Sequence, residues 1–481
     1  MIWILILLFF GITRLFNLSL LPIFADEAIY IRWAQLISQK TYYLFIPLSD
    51  GKTPLFMWLL APLLKLGADP LLTGRMLAVF SGLATLLGVY FLVKKLFSAK
   101  LALLTGILVI FQPFLLFYDR ISLTDGLLTA LVIWSFYLTF LLLTKPSLKL
   151  GIILGFLAGS VLLTKPSGLL FLLLNSLLLF LFPGKKIKTI IKPGAVAVVI
   201  SFMLYNLLRL SSAFPLISSR SQDYLRSNQE IIHEFFHYFL PTFNVFFSWL
   251  ISYLSWPAIL LVLISLFLAI KKKISIIVIL FTWVLVPLLV QVGIGKIIYP
   301  RYLLPIVPFL IIIMGWGLTQ LRKAAWPLAI LIFCFWLRFD WFLLTNPIAA
   351  PLDPWERDQY LQQWSSGYGL KEITQYLKAL PKTQPVLVAT EGSFGTLPNG
   401  LQIFFNQSDQ IEILGVGFPD KTISPAMEQA LLSGKSVYLV VNAHRYNLSD
   451  TKRLKLIAQY PRPGSALNHS EGEKLVFYEV Y

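Results

Sequence analysis

Up to about Thr345 the sequence is a succession of apolar runs, most of them near the length that crosses a bilayer. A span needs roughly 20 predominantly apolar residues. In hydrocarbon every backbone N–H and C=O must be satisfied within the protein, and continuous apolar runs then leave a bundle of membrane helices as the fold. We expect about eleven spans, over residues 1–18, 71–93, 101–117, 123–143, 150–163, 168–182, 190–210, 246–270, 275–293, 302–320 and 325–344. The first run, Met1 to Thr13, has neither a basic flank nor a small-residue cleavage site, and reads as a retained helix. Pro54 to Leu66 is apolar but short and interrupted by Pro62, so it predicts a helix lying in the interface.

Charge sets the orientation. Alternate loops carry Lys94-Lys95-Lys100, Lys145-Lys149, Lys185-Lys186-Lys188, Lys271-Lys272-Lys273 and Arg322-Lys323, and the positive-inside rule makes that side cytoplasmic. The N-terminus is then inside. The loop with Asp26, the Asp119–Asp125 turn, the 211–245 loop and the C-terminal segment fall outside. A net charge of +17 could suggest nucleic acid, but the basic residues sit in short inter-helix loops and near membrane surfaces. Membrane lipids, and no nucleic acid, are the partners that this distribution fits. The one cysteine, Cys334, lies inside an apolar run, which leaves no disulfide framework and no cysteine metal site.

After about Asn346 the composition turns polar, past a linker marked by Pro347, Pro351 and Pro354. Helices are expected at Leu370–Leu380 and Pro425–Leu432. Strands are expected at Val386–Thr390, Ile411–Leu414, Val437–Asn442, Lys455–Gln459 and Lys474–Val480, bounded by Gly, Pro and Asn turns. Helices alternating with strands predict a small α/β domain. The expected whole is mainly α: a polytopic transmembrane bundle over 1–345 and an extracytoplasmic α/β domain over 346–481. That domain carries no nucleotide fingerprint. Asn447-Leu448-Ser449 and Asn468-His469-Ser470 match the short glycosylation sequon.

The chemistry-bearing residues converge on the outer face. Asp26 and Glu27 follow the first run, in a chain where 13% of residues are charged. Acids close to a membrane are uncommon without a function, and Asp26 reads as a catalytic base there. It equally suits the N-cap of a helix running to about Gln39. Lys52 opens the interfacial helix, Asp125 ends an outer turn, Lys165 tops a span, and Lys296, Tyr299, Arg301 and Tyr302 lie between two others. Ser122 and Asp125 also have the spacing of a capping box, and Lys52, Lys165 and Arg301 could be snorkelling cations. Together, carboxylates and several cations suit a reaction in which a hydroxyl is deprotonated and a phosphate departs.

The Asp26-Glu27 pair, Lys52-Thr53-Pro54-Leu55, Leu123-Thr124-Asp125, Leu163-Thr164-Lys165 and Arg301-Tyr302-Leu303-Leu304-Pro305 form an ordered series among the hydrophobic segments. In this series the chain resembles the GT-C glycosyltransferases of the protein O-mannosyltransferase and lipid A aminoarabinose transferase superfamily, over about residues 1–345. The resemblance implies a polyprenyl-phosphate-linked sugar as donor and transfer on the extracytoplasmic face. It makes Asp26 the catalytic carboxylate with Glu27 beside it, Lys52 a contact of the donor phosphate, and Asp125 the second acidic position. The aminoarabinose branch tends to carry Glu before that lysine, where this chain has Gly51. That departure puts in doubt a metal site using such a Glu, and the aminoarabinose substrate with it.

The chemistry that follows has Asp26 removing the acceptor hydroxyl's proton as the hydroxyl attacks, with inversion at the anomeric carbon. The leaving lipid phosphate needs cations, for which Lys52, Lys165 and Arg301, with Tyr302, are the candidates. No cofactor is required by this scheme, although a divalent metal is compatible with it. The acceptor can be a protein, a lipid or a glycan. Two other functions have sequence features to consider. His233-Glu234-Phe235-Phe236-His237 fits H-E-x-x-H, which would make His233 and His237 zinc ligands of an intramembrane metalloprotease. The motif falls in an outer loop, however, and its phenylalanines favour an amphipathic helix resting on the interface. A lipid-sugar flippase or transporter would show paired halves or mid-span acids; the sequence has no internal repeat.

Overall fold

The computed structural model describes residues 2–67, 69–181, 187–381, 384–406, 408, 410–418, 423–445, 452–464 and 473–481. Lys185, Lys186 and both sequons lie outside the described residues. The chain divides into two compact units. One comprises Met1–Phe16, Tyr42–Trp58 and Arg75–Leu344; the other comprises Asn17–Thr41, Leu59–Gly74 and Thr345–Tyr481.

The first unit is helical. Among the described residues, Pro70–Leu96, Thr124–Thr144, Lys188–Leu210, Ser275–Ile294 and the stretch Pro300–Thr345 are long and apolar enough to cross a membrane. Shorter apolar helices accompany them, including Ile2–Leu15, Ala99–Phe111 and Leu148–Thr164. The polytopic bundle is as expected, while the number of eleven spans remains an expectation. Ile4, Leu8, Phe9 and Ile12 on one helix, and Val198, Val199, Phe202 and Met203 on another, are exposed, as faces turned to lipid would be.

Two expected spans are broken, each for a local reason. The span over 246–270 is two helices, Phe235–Leu254 and Trp256–Lys271, bent by 104°. Ser255 between them has φ +79°, and Pro257 stands in the first turn of the second helix, where a missing N–H costs nothing. The span over 101–117 breaks into Ala99–Phe111 and Pro113–Tyr118, with Gln112 extended between them. Pro113 has no N–H to offer the Val109 carbonyl four residues back.

Arg14 repairs that second break. It is fully buried at the end of Ile2–Leu15. Its Nη2 donates to the Val109 carbonyl at 3.2 Å, and its Nη1 to the Ile110 carbonyl. Its Nε donates to Asp119 Oδ2 at 3.1 Å. Arg120 ties the same corner from the other side, donating to the Thr13 and Arg14 carbonyls at 3.0 and 2.8 Å. Gly82 makes room for the pair, since a Cβ there would lie 2.3 Å from the Asp119 carboxyl carbon. Asp119 is thus a structural residue.

The second unit holds a mixed five-stranded sheet: β1 (Val386–Thr390), β2 (Ile411–Gly415), β3 (Ser436–Asn442), β4 (Leu454–Pro461) and β5 (Lys474–Val480). The order is β2-β1-β3-β5-β4, parallel across β2, β1 and β3 and antiparallel beyond. Side chains alternate in β1 and β3. Leu387, Ala389, Val437, Leu439 and Val441 pack on Met427 and Ala430 of the Pro425–Leu432 helix. On the other face Tyr438 and Phe477 pack on Tyr376 of the Leu370–Ala379 helix. Every strand and both helices occur where the turns of the sequence delimit them.

The Ala25–Gln39 helix belongs to this second unit. The Ala25 N–H donates to the Ser365 carbonyl at 3.0 Å and the Gly367 N–H to the Ile23 carbonyl at 2.7 Å, making a short antiparallel bridge between Phe24 and Ser366. Gln35 reaches the Ile403 carbonyl at 2.8 Å, and Phe24 packs on Tyr360 with ring centroids 4.3 Å apart.

Candidate active site

The two carboxylates at the head of the Ala25–Gln39 helix have different surroundings. The N-cap is Phe24, so Asp26 is in the first turn and does not cap the helix. Glu27 is fully buried, and its Oε2 accepts the Phe24 N–H at 3.1 Å. That bond satisfies one of the donors a helix start leaves open. Glu27 is therefore occupied by structure, and Asp26 beside it is half-buried. Acids in the first turn also complement the helix dipole.

In the first unit, three expected site residues meet. Lys165, just past the Leu148–Thr164 helix, donates to Asp125 Oδ1 at 2.6 Å. The same ammonium lies 4.2 Å from the centre of the Tyr302 ring. Asp125 is 3% exposed, in the first turn of Thr124–Thr144. The N-cap of that helix is Leu123, with no side-chain cap, so the Ser122–Asp125 capping box does not form. Lys165 is held at a defined point between a carboxylate and an aromatic face, unlike a cation trailing into the headgroups. Arg301 lies over the Tyr299 ring at 4.8 Å, and Tyr299 packs edge-on against Tyr302 at 5.6 Å.

Lys52 pairs with Asp50 at 3.4 Å, and Asp50 also accepts Arg220 at 2.7 Å. Neither Asp50 nor Arg220 was singled out in the sequence. Between them Gly51 has φ +68°, and a Cβ there would lie 2.5 Å from the Arg220 Cβ and 2.9 Å from the Leu216 carbonyl. Glycine is required at this turn, and the Glu of the aminoarabinose branch would not fit.

The zinc-protease reading does not survive. That signature needs both histidines on one face of a continuous helix. Here Asn228–His233 ends before Glu234, whose ψ of 6° is non-helical, and Phe235–Leu254 begins after it. Ser227 and Glu230 form a capping box at the start of the shorter helix. Ser227's N–H and hydroxyl hold the Glu230 carboxyl down at about 2, and Glu230 pairs with Lys296 at 3.3 Å. Among the described residues no three His, Cys, Asp or Glu side chains gather as a metal site requires. His233 and His237 therefore lack the ligand geometry they were singled out for.

A family profile described as dolichyl-phosphate-mannose-protein mannosyltransferase matches residues 51–208, which include Lys52, Asp125 and Lys165. The fold is similar to that of ArnT from Cupriavidus metallidurans in the apo state, with a TM-score of 0.64 at 14% identity, covering 99% of this chain and 97% of that one. The chain therefore has a fold like that of ArnT, with a segment that matches the mannosyltransferase profile. The same ArnT bound to undecaprenyl phosphate matches at a TM-score of 0.61 and 13% identity, with the same coverage of both chains. The archaeal oligosaccharyltransferase AglB from Archaeoglobus fulgidus, in complex with an inhibitory peptide and a dolichol-phosphate, matches at 0.51 and 11% identity. That match covers 92% of this chain and 69% of AglB. No curated protein matches by sequence.

Proposed function

We propose that this chain is a GT-C membrane glycosyltransferase that moves a sugar from a polyprenyl-phosphate donor to an acceptor hydroxyl on the extracytoplasmic face, with inversion. The observation that carries the reading is Lys165, fixed between Asp125 and Tyr302 in a chain with the ArnT fold. A cation held in a partly dry site interacts with a departing phosphate far more strongly than one in water. Lys52 and Arg301 serve the same leaving group, with Tyr302 bracing Lys165. Asp26 takes the acceptor proton, and Glu27 holds the helix that carries it. Asp125 positions Lys165.

The test uses purified protein and a polyprenyl-phosphate-linked sugar. Lys165→Ala should weaken retention of the lipid phosphate and lower transfer by about 10-fold or more, as loss of a charge-assisted contact of roughly 1.5–3 kcal/mol requires. Unchanged retention and transfer would take Lys165 out of the reaction.

The orientation rests on the loop lysines. We place the N-terminus in the cytoplasm, residues 1–345 in the transmembrane catalytic part, and residues 346–481 outside. Single cysteines at Ser49 and Ser436 should then label from outside, and one at Lys272 only after permeabilisation. Labelling at Ser436 from the cytoplasmic side alone would reverse the topology.

A further inference from the structure

The second unit contains a cavity of about 250 Å³ whose walls include Trp364, Glu391, Phe394, Phe418, Asn442 and Arg445. It opens at the carboxyl ends of β1 and β3. Those strands are parallel neighbours, and the chain leaves β1 for β2 on one side before returning to β3 on the other. In open α/β sheets, the crevice at such a reversal is where ligands bind.

The lining is a built one. Glu391, next after β1, is 2% exposed. Its Oε2 accepts the Asn442 N–H at 2.9 Å and its Oε1 accepts the Asn442 side-chain amide. Arg445 comes within 3.6 Å of the same carboxylate. Its guanidinium lies 4.1 Å from the centre of the Trp364 ring and 5.4 Å from that of Phe418. Asn442, at the end of β3, is 2% exposed, and among the described residues its Oδ1 has no hydrogen-bond partner. Buried acceptors of this kind are normally satisfied. Around these polar groups Trp364, Phe394 and Phe418 are 37%, 45% and 64% exposed, which is unusual for three large aromatic rings lining one cavity. Gly392 and Gly417 bridge the two loops that carry Phe394 and Phe418, so the rings are held on tied loops.

We propose that this cavity binds a pyranose ring of the acceptor. A sugar ring has apolar C–H faces that fit aromatic surfaces and a rim of hydroxyls that both donate and accept. The cavity offers the matching set: aromatic faces, a carboxylate and an amide oxygen to accept, and a guanidinium to donate. An anion is disfavoured, because Arg445 is already opposed by Glu391. A purely apolar ligand would bury that pair without replacing its water. The volume, just below the roughly 300–1,000 Å³ of drug-sized sites, suits one ring.

The acceptor role rests on the transferase reading, and the same unit supplies the link. Trp33 of the Ala25–Gln39 helix packs on Phe394 with ring centroids 5.7 Å apart. Asp26 is seven residues earlier on that helix, about 10 Å along its axis at 1.5 Å per residue. A saccharide chain seated in the cavity can extend along this helix toward Asp26.

The experiment is saturation-transfer NMR on the full chain in detergent with no donor present. The probes are the methyl pyranosides of glucose, mannose, galactose and N-acetylglucosamine, with a serine-containing peptide as the contrasting ligand. At least one pyranoside should bind through its ring C–H protons. Phe418→Ala, at an exposed ring, should weaken that binding by about 10-fold, which is 1.4 kcal/mol, and Asn442→Asp should do so through the polar wall. In transfer to a glycan acceptor, Phe418→Ala should raise KM and leave kcat near its original value. No pyranoside binding to folded protein, binding that Phe418→Ala does not change, or binding of the peptide alone would overturn the proposal. If pyranosides bind and Phe418→Ala weakens them while no sugar moves from a polyprenyl-phosphate donor, the saccharide site stands and the transferase reading fails.

Discussion

Replacing Asp26 with Asn is expected to lower sugar transfer by about 100-fold or more, the scale on which general-base assistance is lost. Asparagine keeps the side-chain size and removes the charge. Phe24 and not Asp26 is the N-cap, so the change removes a first-turn charge, worth roughly 0.3–1 kcal/mol, and no cap. The variant should therefore fold, insert and retain the donor lipid. Glu27→Gln is the informative contrast. Its carboxylate is fully buried and accepts the Phe24 N–H, so that change should act on the stability of the helix start. Near-normal transfer by purified, folded Asp26→Asn protein would remove Asp26 from the mechanism.

The largest expected effect on stability lies away from the chemistry. Arg14→Met should destabilise the first unit by about 3–5 kcal/mol, the cost of leaving one partner of a buried pair without the other. Asp119 would lose its Nε–H donor, and the Val109 and Ile110 carbonyls would lose theirs, in a corner closed to water. Adding Asp119→Leu should recover part of the loss, since the isolated charge is gone while the carbonyls remain. Thermal unfolding of the single and double variants in one detergent measures this. Equal midpoints for Arg14→Met and the original protein would show that the pair contributes nothing.

What the sequence reveals and what it hides follow from the range of each interaction. The five strands and two helices of the C-terminal segment are legible because alternation, capping and turn residues are local signals, and the Ala25–Gln39 helix is legible for the same reason. The breaks at Gln112 and Ser255 also have local marks, Pro113 and Pro257, which long apolar runs on either side obscure. Arg14 could not be assigned from sequence, because its partner Asp119 is 105 residues away. A lone arginine at the end of an apolar run reads as a surface cation. Asp26 and Glu27 are likewise inseparable as letters; only burial and the Phe24 bond divide their roles. At the interfacial turn, Gly51 looked like a missing acid, whereas its backbone angle and the closeness of Arg220 make it a steric requirement, with Asp50 beside Lys52. The cavity beside β1 and β3 draws its walls from residues 364 to 445, so no short motif announces it.

The most direct measurement is an experimental structure of this protein with undecaprenyl phosphate bound. The phosphate is expected in hydrogen-bonding contact with Lys165, competing with Asp125 for its ammonium, and within reach of Lys52 or Arg301. A lipid phosphate bound away from all three cations, with the Lys165–Asp125 pair undisturbed, would contradict this expectation.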